Sequence, residues 1–425
     1  MMTMVRVLKL SLHGQVVGYL AGFNHGKNVL TFSQEFVLNK QRPTFSLITR
    51  QDFPNADKLL SEQWTHRQRL NPILSNLLPE GALRSLIVQA LKIHIDNEFE
   101  LMTYLGQDLP GALIAESVEP QDVPSYIFGN ADPITPKVLS PQILANQFSL
   151  AGVQMKFSMK QYGERFTLPN VGKLTELGDW IIKTPSIAHQ GVPQNEYSMM
   201  TLAQLAGVEI PEIQLVRVNQ LDNLPSLHLP NEDYAYAIKR FDRLTTEAQQ
   251  TQRIHSEDFA QILNKYPHHK YDGGNYTQIG KILYHYSQDG LADARQLARR
   301  LLVNILLGNG DAHLKNWSVI YPDTYHLRLS PAYDIVFTKA YIHNEQSLAL
   351  NLAKIKNWYQ MDLSHFEAWA KKADIPWRAV KLELDSVLEI ARTQWRQELE
   401  QLPMLDVQKQ LLQEHWQLLH TDFRI

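Results

Sequence analysis

The stretch from residue 301 to 334 constrains the fold most, because it combines a buried helix, a polar loop and a hairpin. Apolar residues recur at helical spacing through 292–307, which predicts an amphipathic helix. The Gly-Asn-Gly triplet at 308–310 is typical of a helix end. Two β-rich runs, 317–321 and 325–329, flank a Pro-Asp-Thr turn and predict a hairpin.

The hairpin is expected to bring three polar side chains together, because its two ends lie side by side. Asp311 and Asn316 precede it, and Asp334 follows it. This set suits phosphoryl transfer, in which one carboxylate accepts the proton of an attacking hydroxyl and oxygen ligands hold magnesium against nucleotide phosphates. Protein kinases use the same Asp-to-Asn spacing, with a second Asp beyond a hairpin. An ordinary polar loop with an Asx turn at Asp311 is the alternative interpretation.

Composition narrows the class of protein. With 425 residues, 44% apolar and 20% charged, the chain can bury a large core and form more than one domain. The absence of cysteine excludes disulfides, thiolate metal sites and cysteine nucleophiles, and favours a reducing compartment. A net charge of -3 gives no overall attraction to nucleic acid or membrane. Arg6, Lys9 and His13 interrupt the apolar start, so we expect a cytoplasmic protein without a signal peptide.

The chain divides into four predicted segments. Residues 1–115 alternate in the manner of short antiparallel strands, followed by helices, and are expected to form a strand-rich α/β subdomain with its own core. Residues 116–147 hold five prolines and are interpreted as a linker or wrap. Residues 148–243 are expected to form a mixed α/β lobe. Residues 244–425 are expected to form an all-helical lobe, which includes a helix over 257–263. The expected fold class is α+β, with two kinase-like lobes and an extra amino-terminal subdomain.

Three features of the third segment, a possible phosphate loop, a strand lysine and a helix glutamate, precede the polar loop in the order found in kinases. A glycine-containing run at 149–156 is a weak phosphate-loop signal, for which a plain turn is the alternative. Lys183 ends an apolar strand and is a candidate nucleotide-binding lysine. The alternative interpretation is a lysine exposed to solvent at the tip of a strand. Glu196 is placed in the first turn of a helix over 193–206. Its carboxylate would either stabilise the amino-terminal end of the helix through the helix dipole or form an ion pair with Lys183. Kinases pair a strand lysine with a helix glutamate in this order, and nucleotide lies between the two lobes.

On these motifs the chain resembles the HipA family of serine/threonine kinases, the toxin halves of HipBA-type toxin–antitoxin modules. The most specific parts of the resemblance are 308–316 and the Pro-Ala-Tyr-Asp run at 331–334, because spacing and chemistry both match. The resemblance covers most of the chain and also includes Leu-Leu-Pro-Glu-Gly at 77–81, Gly-Gln-Asp-Leu-Pro-Gly-Ala at 106–112, the run at 149–156, Ile-Ile-Lys-Thr-Pro at 181–185, Asn-Glu at 195–196, Arg-Phe-Asp-Arg at 240–243 and Glu-Asp at 257–258.

The resemblance implies roles for individual residues. Asp311 is implied to be the catalytic base, Asn316 and Asp334 to be magnesium ligands, and Lys183 to contact the phosphates of ATP. Ser149 is implied to be autophosphorylated, and roughly two added negative charges there would repel the phosphates of ATP. Arg240 and Phe241 are implied to lie at the strand between the lobes, whose backbone holds adenine. The other residues implied to form the nucleotide site are Ala151, Gly152, Val153, Gln154, Lys156, Glu196 and His313.

The resemblance also implies partners. The substrate would be a translation factor, most often an aminoacyl-tRNA synthetase, and its phosphorylation would arrest growth. A small helix-turn-helix antitoxin would bind the chain, and the complex would bind operator DNA as a co-repressor, without any membrane partner. Around Trp377, a basic group is the local candidate for DNA contact, with a solvated helix face as its alternative; the group comprises Lys371, Lys372, Arg378 and Lys381.

The polar loop departs from typical protein kinases in one respect. His313 stands two residues after Asp311, where they have a lysine, and Lys315 stands four residues after it. The Asp-x-His-x-x-Asn pattern is closer to phosphoinositide-type kinases, so a small-molecule or lipid kinase is one alternative function. A non-catalytic kinase fold that acts only as a co-repressor is the other. His313 itself would either brace the loop or act directly in catalysis.

Overall fold

The amino-terminal part of the chain folds as an antiparallel sheet with helices packed against it. The structure is a computed structural model, and it describes residues 4–128, 132–133, 154–169, 177–224, 229–245 and 251–425. The strands are β1 (Met4–Leu12), β2 (Gln15–Phe23), β3 (Lys27–Phe32), β4 (Trp64–Arg67), β5 (Leu113–Ser117) and β6 (Asp132–Pro133). Their order is β4-β3-β2-β1-β5, and β6 pairs in parallel with the start of β1. The helices are α1 (Gln34–Leu38), α2 (Ala56–Ser61), α3 (Pro72–Ser75), α4 (Gly81–Leu91), α5 (Glu98–Leu105) and α6 (Ser125–Phe128).

A second sheet follows, and it carries the predicted nucleotide lysine. Its strands are β7 (Lys156–Tyr162), β8 (Arg165–Thr167), β9 (Trp180–Lys183), β10 (Ile213–Arg217), β11 (Leu221–Asp222) and β12 (Tyr234–Lys239). They lie in the order β10-β12-β9-β7-β8-β11. Helix α7 (Val192–Leu205) packs against β12 and β10. The second sheet therefore has one face covered by α7.

The other face of the second sheet packs against the amino-terminal part. Along β12, Ala235 and Ala237 belong to a hydrophobic cluster that also contains Leu8, Leu10 and many other side chains of the first sheet and its helices. The intervening residues of β12 lie in a second cluster with α7 and the carboxyl-terminal helices. Since alternate side chains of a strand point to opposite faces, the sheet is buried on both sides. The amino-terminal part therefore shares its larger core with the second sheet, whereas a smaller cluster of described residues, which includes Val5, Val7 and Ala21, contains none of that sheet's residues.

The remaining part of the chain is mainly helical. Its helices are α8 (Phe259–Ile262), α9 (Tyr276–Tyr286), α10 (Gly290–Leu306), α11 (Leu363–Lys372), α12 (Trp377–Ile390), α13 (Arg396–Gln401) and α14 (Asp406–Leu418), with a π-helical segment at Ala391–Trp395 joining α12 to α13. Within the ranges given above, no helix is both long and apolar enough to cross a membrane.

Short sheets interrupt the helices, which the prediction of an all-helical lobe did not include. The strands are β13 (Arg243–Thr245), β14 (Thr251–Arg253), β15 (His255–Asp258), β16 (Ser318–Tyr321), β17 (Arg328–Leu329), β18 (Ser347–Leu352) and β19 (Ile355–Asn357). The predicted helix over 257–263 begins later than expected, because Glu257 and Asp258 pair with β16 as the end of β15.

Contacts at Gly111 and at Glu257 help to attach the amino-terminal part to the rest of the chain. Asp242 accepts a hydrogen bond from the backbone N–H of Gly111 at 2.7 Å, and Arg243 donates to the carbonyl of Gly111 at 2.8 Å. Gly111 has φ +75°, and a Cβ there would lie 2.9 Å from the backbone nitrogen of Ser256, so this junction requires glycine. Buried Glu257 accepts from the backbone N–H of Leu47 at 2.9 Å, and burial raises its pKa to about 7.

Candidate active site

Four charged side chains converge where the second sheet meets the helical part. Lys156 at the start of β7 and Lys183 at the end of β9 are direct cross-strand neighbours. The Nζ atom of Lys156 lies 3.1 Å from Oδ2 of Asp334, and Lys183 forms ion pairs with both Asp334 and Glu196. Like charges directly opposite each other destabilise a sheet. Asp334 offsets that repulsion because it contacts both ammonium groups.

The ion cluster is largely buried, so the charge of each group depends on its partners in the cluster. Lys183 is 3% exposed and Glu196 is 1% exposed. Burial alone would raise the pKa of Asp334, but the ammonium groups of Lys156 and Lys183 outweigh it and hold that pKa well below its ordinary value. Burial opposes the charge of Lys183, yet Asp334 and Glu196 raise the pKa of its ammonium group. Both groups are therefore charged at neutral pH.

Glu196 does not take the position predicted for it. It is the fifth residue of α7, which begins at Val192, and no acidic residue lies in the first turn of that helix. Its side chain points into the ion cluster instead of serving the helix dipole. Of the two interpretations open from the sequence, the structure shows the ion pair with Lys183.

The polar loop begins where α10 ends. Gly308 adopts φ +55°, the left-handed conformation that commonly follows a helix end. Asn309 then bridges the loop to the ion cluster, since its Oδ1 accepts from the backbone N–H of Asp311 at 3.1 Å and its Nδ2 donates to the carbonyl of Asp334 at 3.3 Å. The predicted hairpin is confirmed, with Val319 opposite Leu329. Asn309 thus connects the backbone of Asp311 to that of Asp334.

The donors present fit a magnesium ion held together with nucleotide phosphates. Asn316 donates through Nδ2 to the carbonyl of Asp311 at 2.7 Å, which leaves its amide oxygen as an acceptor. Asp334 adds a carboxylate and adopts φ +55°, a left-handed conformation that non-glycine residues seldom adopt outside functional sites and turns. The described residues contain no group of three or more His, Asp or Glu side chains placed to bind a metal. Magnesium at kinase sites needs only one or two protein carboxylates or amides beside the phosphates.

His313 is held inside the loop. Its side chain is buried, and its backbone N–H donates to the carbonyl of Asp311 at 2.7 Å. Burial lowers its pKa, so the ring is neutral at physiological pH. Its Nδ1 atom has no hydrogen-bond partner within the described parts of the chain. These contacts do not decide between the two roles, so the bracing role and the direct role of His313 in catalysis both stay predictions.

The remaining predicted residues lie around this centre or outside the described structure. The guanidinium of Arg240 is engaged with Asp242 at 2.7 Å and Ser158 at 3.0 Å, so this side chain is already paired within the protein. The ring of Phe241 lies 5.7 Å from that of Tyr333, next to Asp334. Gln154 is described just before β7. Ser149, Ala151, Gly152 and Val153 fall outside the described residues.

Sequence reasoning missed the contacts that hold the loop from the amino-terminal side. The Nζ atom of Lys315 donates to the carbonyl of Asn76 at 2.9 Å and to Asp258 at 3.0 Å, and it lies 3.3 Å from a carboxylate oxygen of Glu80. Glu80 belongs to the Leu-Leu-Pro-Glu-Gly run noted above, which was the available signal. Lys315 therefore ties the segment next to Asn316 to the loop between α3 and α4. Tyr271, whose hydroxyl contacts Asp311, was missed as well.

Comparisons with known proteins agree with this arrangement. Family models match the chain twice, as the HipA N-terminal domain over residues 8–116 and the HipA-like C-terminal domain over residues 148–395. A Sinorhizobium fredii protein, provisionally named a kinase, is 37% identical over 406 residues, which is 95% of this chain and 94% of that protein. The serine/threonine-protein kinase toxin HipA of Shewanella oneidensis is 24% identical over 307 residues, 66% of each chain.

A solved structure shares the fold. It is the complex of HipA, HipB and operator DNA from Shewanella oneidensis MR-1, and the match has a TM-score of 0.70 at 20% identity. It covers 97% of this chain and 96% of the matched chain. The bilobed α+β arrangement with an additional amino-terminal part is therefore a known one.

The ion cluster predicts a specific pattern of stability. Lys183→Met is expected to lower the free energy of unfolding by about 3–5 kcal/mol, because Glu196 would remain buried without a counter-charge. Lys183→Met combined with Glu196→Leu is expected to recover part of that loss, since both charges are then removed. Urea unfolding of both variants tests this, with Lys239→Met on the exposed end of β12 as a control. A double variant no more stable than the single one would contradict the expectation.

Proposed function

The chain belongs to the HipA family, and we propose that it is an ATP- and magnesium-dependent serine/threonine protein kinase. One observation carries the proposal: Lys183, Glu196 and Asp334 converge beside the loop that holds Asp311 and Asn316. Burial of isolated charges is costly, and a protein that only bound a partner would need none of these groups. Phosphoryl transfer needs all of them.

In the proposed reaction, this chain supplies the groups that bind nucleotide. The ammonium groups of Lys156 and Lys183 face one place and would hold phosphate oxygens. Asn316 and Asp334 would hold magnesium, which when bound neutralises the charge that develops on the transferred phosphoryl group. The backbone around Arg240 and Phe241 would contact the base. In the structure the carboxylate of Asp334 forms ion pairs with both lysines, so phosphate oxygens would replace part of these contacts when nucleotide binds.

Asp311 would act as the base. Its carboxylate takes the proton of the attacking hydroxyl as the hydroxyl oxygen bonds to the γ-phosphorus and the bond to the β-phosphate oxygen breaks, releasing ADP. Asn309 and Asn316 hold the backbone on both sides of this carboxylate. We propose Ser149 as one acceptor, since the family resemblance places autophosphorylation there.

The proposed activity predicts the behaviour of Asp311→Asn. This isosteric change removes the proton acceptor, so transfer of radiolabelled phosphate from Mg-ATP is expected to fall by about 10²-fold or more, while Mg-ATP still binds. The acceptors to test are the protein itself, with phosphate mapped at Ser149 by mass spectrometry, and purified aminoacyl-tRNA synthetases. Asp406→Asn, at a fully exposed carboxylate, is the matched control. Equal transfer by Asp311→Asn and the wild type would rule out the assigned base.

We also propose a small helix-turn-helix antitoxin as partner, with operator DNA bound through the complex. The matched fold in the complex of HipA, HipB and operator DNA supports this proposal. The net charge of -3 favours DNA contact through the partner, and within the basic group around Trp377 the ammonium group of Lys381 is already paired with Asp385 at 2.6 Å. A kinase that acts on translation proteins would work in the cytoplasm.

The partner proposal predicts that the chain joins operator DNA only in complex with the antitoxin. The chain alone is expected to leave operator DNA unshifted in a gel, whereas the antitoxin with the chain shifts it further than the antitoxin alone. Lys371→Glu combined with Lys372→Glu tests for direct contact, because loss of phosphate contacts lowers the salt dependence of binding. A shift that is the same with and without the chain would contradict the proposed partnership.

A further inference from the structure

The loop between α8 and α9, residues 264–275, lies against the polar loop and is here called the acceptor-side loop. The backbone N–H of Leu314 donates to the carbonyl of Lys270 at 3.1 Å. The ammonium group of Lys270 lies 3.2 Å from Glu80, and His268 lies 2.7 Å from the guanidinium of Arg69. The acceptor-side loop is therefore fixed both to the polar loop and to the amino-terminal part.

Tyr271 projects from this loop onto Asp311. Its hydroxyl donates to Oδ1 of Asp311 at 2.5 Å, and its ring stands edge-on to His313 with a centroid distance of 5.0 Å. Tyr271 remains 45% exposed, so its contact with Asp311 lies at the surface, where an acceptor could reach it. Burial and the hydrogen bond to Asp311 both raise the pKa of Tyr271, which keeps the phenol protonated and able to donate.

This contact has the geometry that an acceptor would need. A general base must lie within about 2.6–3.2 Å of the oxygen whose proton it takes. The oxygen of Tyr271 lies 2.5 Å from Oδ1, close to the short end of that range. Tyr271 reached this position from a loop that is distant in sequence from Asp311, so the contact results from the tertiary fold and not from a local turn.

We propose that Tyr271 is a gate at the acceptor site, whose hydroxyl occupies the place of the attacking hydroxyl on Asp311 until a hydroxyl-bearing protein segment displaces it. This inference rests on the proposed role of Asp311 as the base. The gate has a chemical consequence, because water is the smallest acceptor for the γ-phosphoryl group. While Tyr271 donates to Oδ1, that oxygen does not accept a proton from water, so hydrolysis of ATP through it is held back when no protein acceptor is bound.

Removal of the hydroxyl tests the gate with water as the probe. Tyr271→Phe keeps the ring against His313 and vacates a space of one oxygen atom beside Asp311, where a water molecule fits. Release of inorganic phosphate from Mg-ATP, without protein acceptor, is expected to rise several-fold in Tyr271→Phe. A loss of structural support alone would lower this rate. Tyr266→Phe, in the same loop with its ring stacked on His268, is the matched control and is expected to keep the wild-type rate.

Two further variants keep the outcome unambiguous. Tyr271→Leu also lacks the hydroxyl and must change the rate in the same direction. The double variant Tyr271→Phe with Asp311→Asn must lose the increase, since the extra hydrolysis passes through that carboxylate. If wild type binds Mg-ATP and Tyr271→Phe hydrolyses it no faster, the gate is overturned and the proposed kinase stands. If wild type does not bind Mg-ATP, the proposed function fails and the gate with it.

Discussion

The buried contact of Lys183 with Glu196 and Asp334 is the interaction on which the rest of the structure depends. A lysine ammonium 3% exposed to solvent is stable only beside carboxylates, and here each carboxylate comes from a different element. Strand β9 delivers the lysine, α7 delivers the glutamate, and the segment after the β16–β17 hairpin delivers the aspartate. Any packing error in the second sheet, in α7 or in the hairpin would leave a buried charge unpaired. The cluster therefore specifies how the two lobes meet.

The amino-terminal part packs against the second sheet and also contacts the polar loop. Its helices and first sheet bury one face of the second sheet, while Gly111 and Leu47 bind the segment from Asp242 to Glu257. The loop between α3 and α4 reaches further, to Lys315 in the polar loop. Because these contacts reach both the strand between the lobes and the loop that carries Asp311, the amino-terminal part acts as a brace for the site.

Local pattern was enough to predict the elements around the site but not all of their contacts. The helix before Gly308 and the hairpin follow from periodicity and turn residues within one stretch, and the structure contains both, with Asn309 linking Asp311 to Asp334. The pairing of Lys156 with Asp334 was not foreseen, because it depends on the register of β7 against β9. The predicted helix over 257–263 includes the last two residues of β15, because the strand's partner β16 lies far along the chain.

The contacts made by Tyr271 and Lys315 illustrate the same limit. Both residues lie in polar segments whose neighbours in space come from distant parts of the sequence, and a pattern within one segment cannot reveal such contacts. The Leu-Leu-Pro-Glu-Gly run was visible, but its link to Lys315 required the fold. The residues of the predicted phosphate loop, including Ser149 and Gly152, lie outside the described structure, so their roles rest on the resemblance alone.

The magnesium dependence of ATP binding tests the central assignment most directly. Calorimetric titration of the wild type is expected to show tighter ATP binding with magnesium than without it, because Asp334 contributes to the metal site. In Asp334→Asn that difference is expected to disappear, while ATP alone binds at least as well, since Lys156 and Lys183 lose their competing carboxylate. Asp323→Asn, in the turn of the hairpin, is the matched control. An undiminished effect of magnesium in Asp334→Asn would contradict the assignment of this residue and of the site built around it.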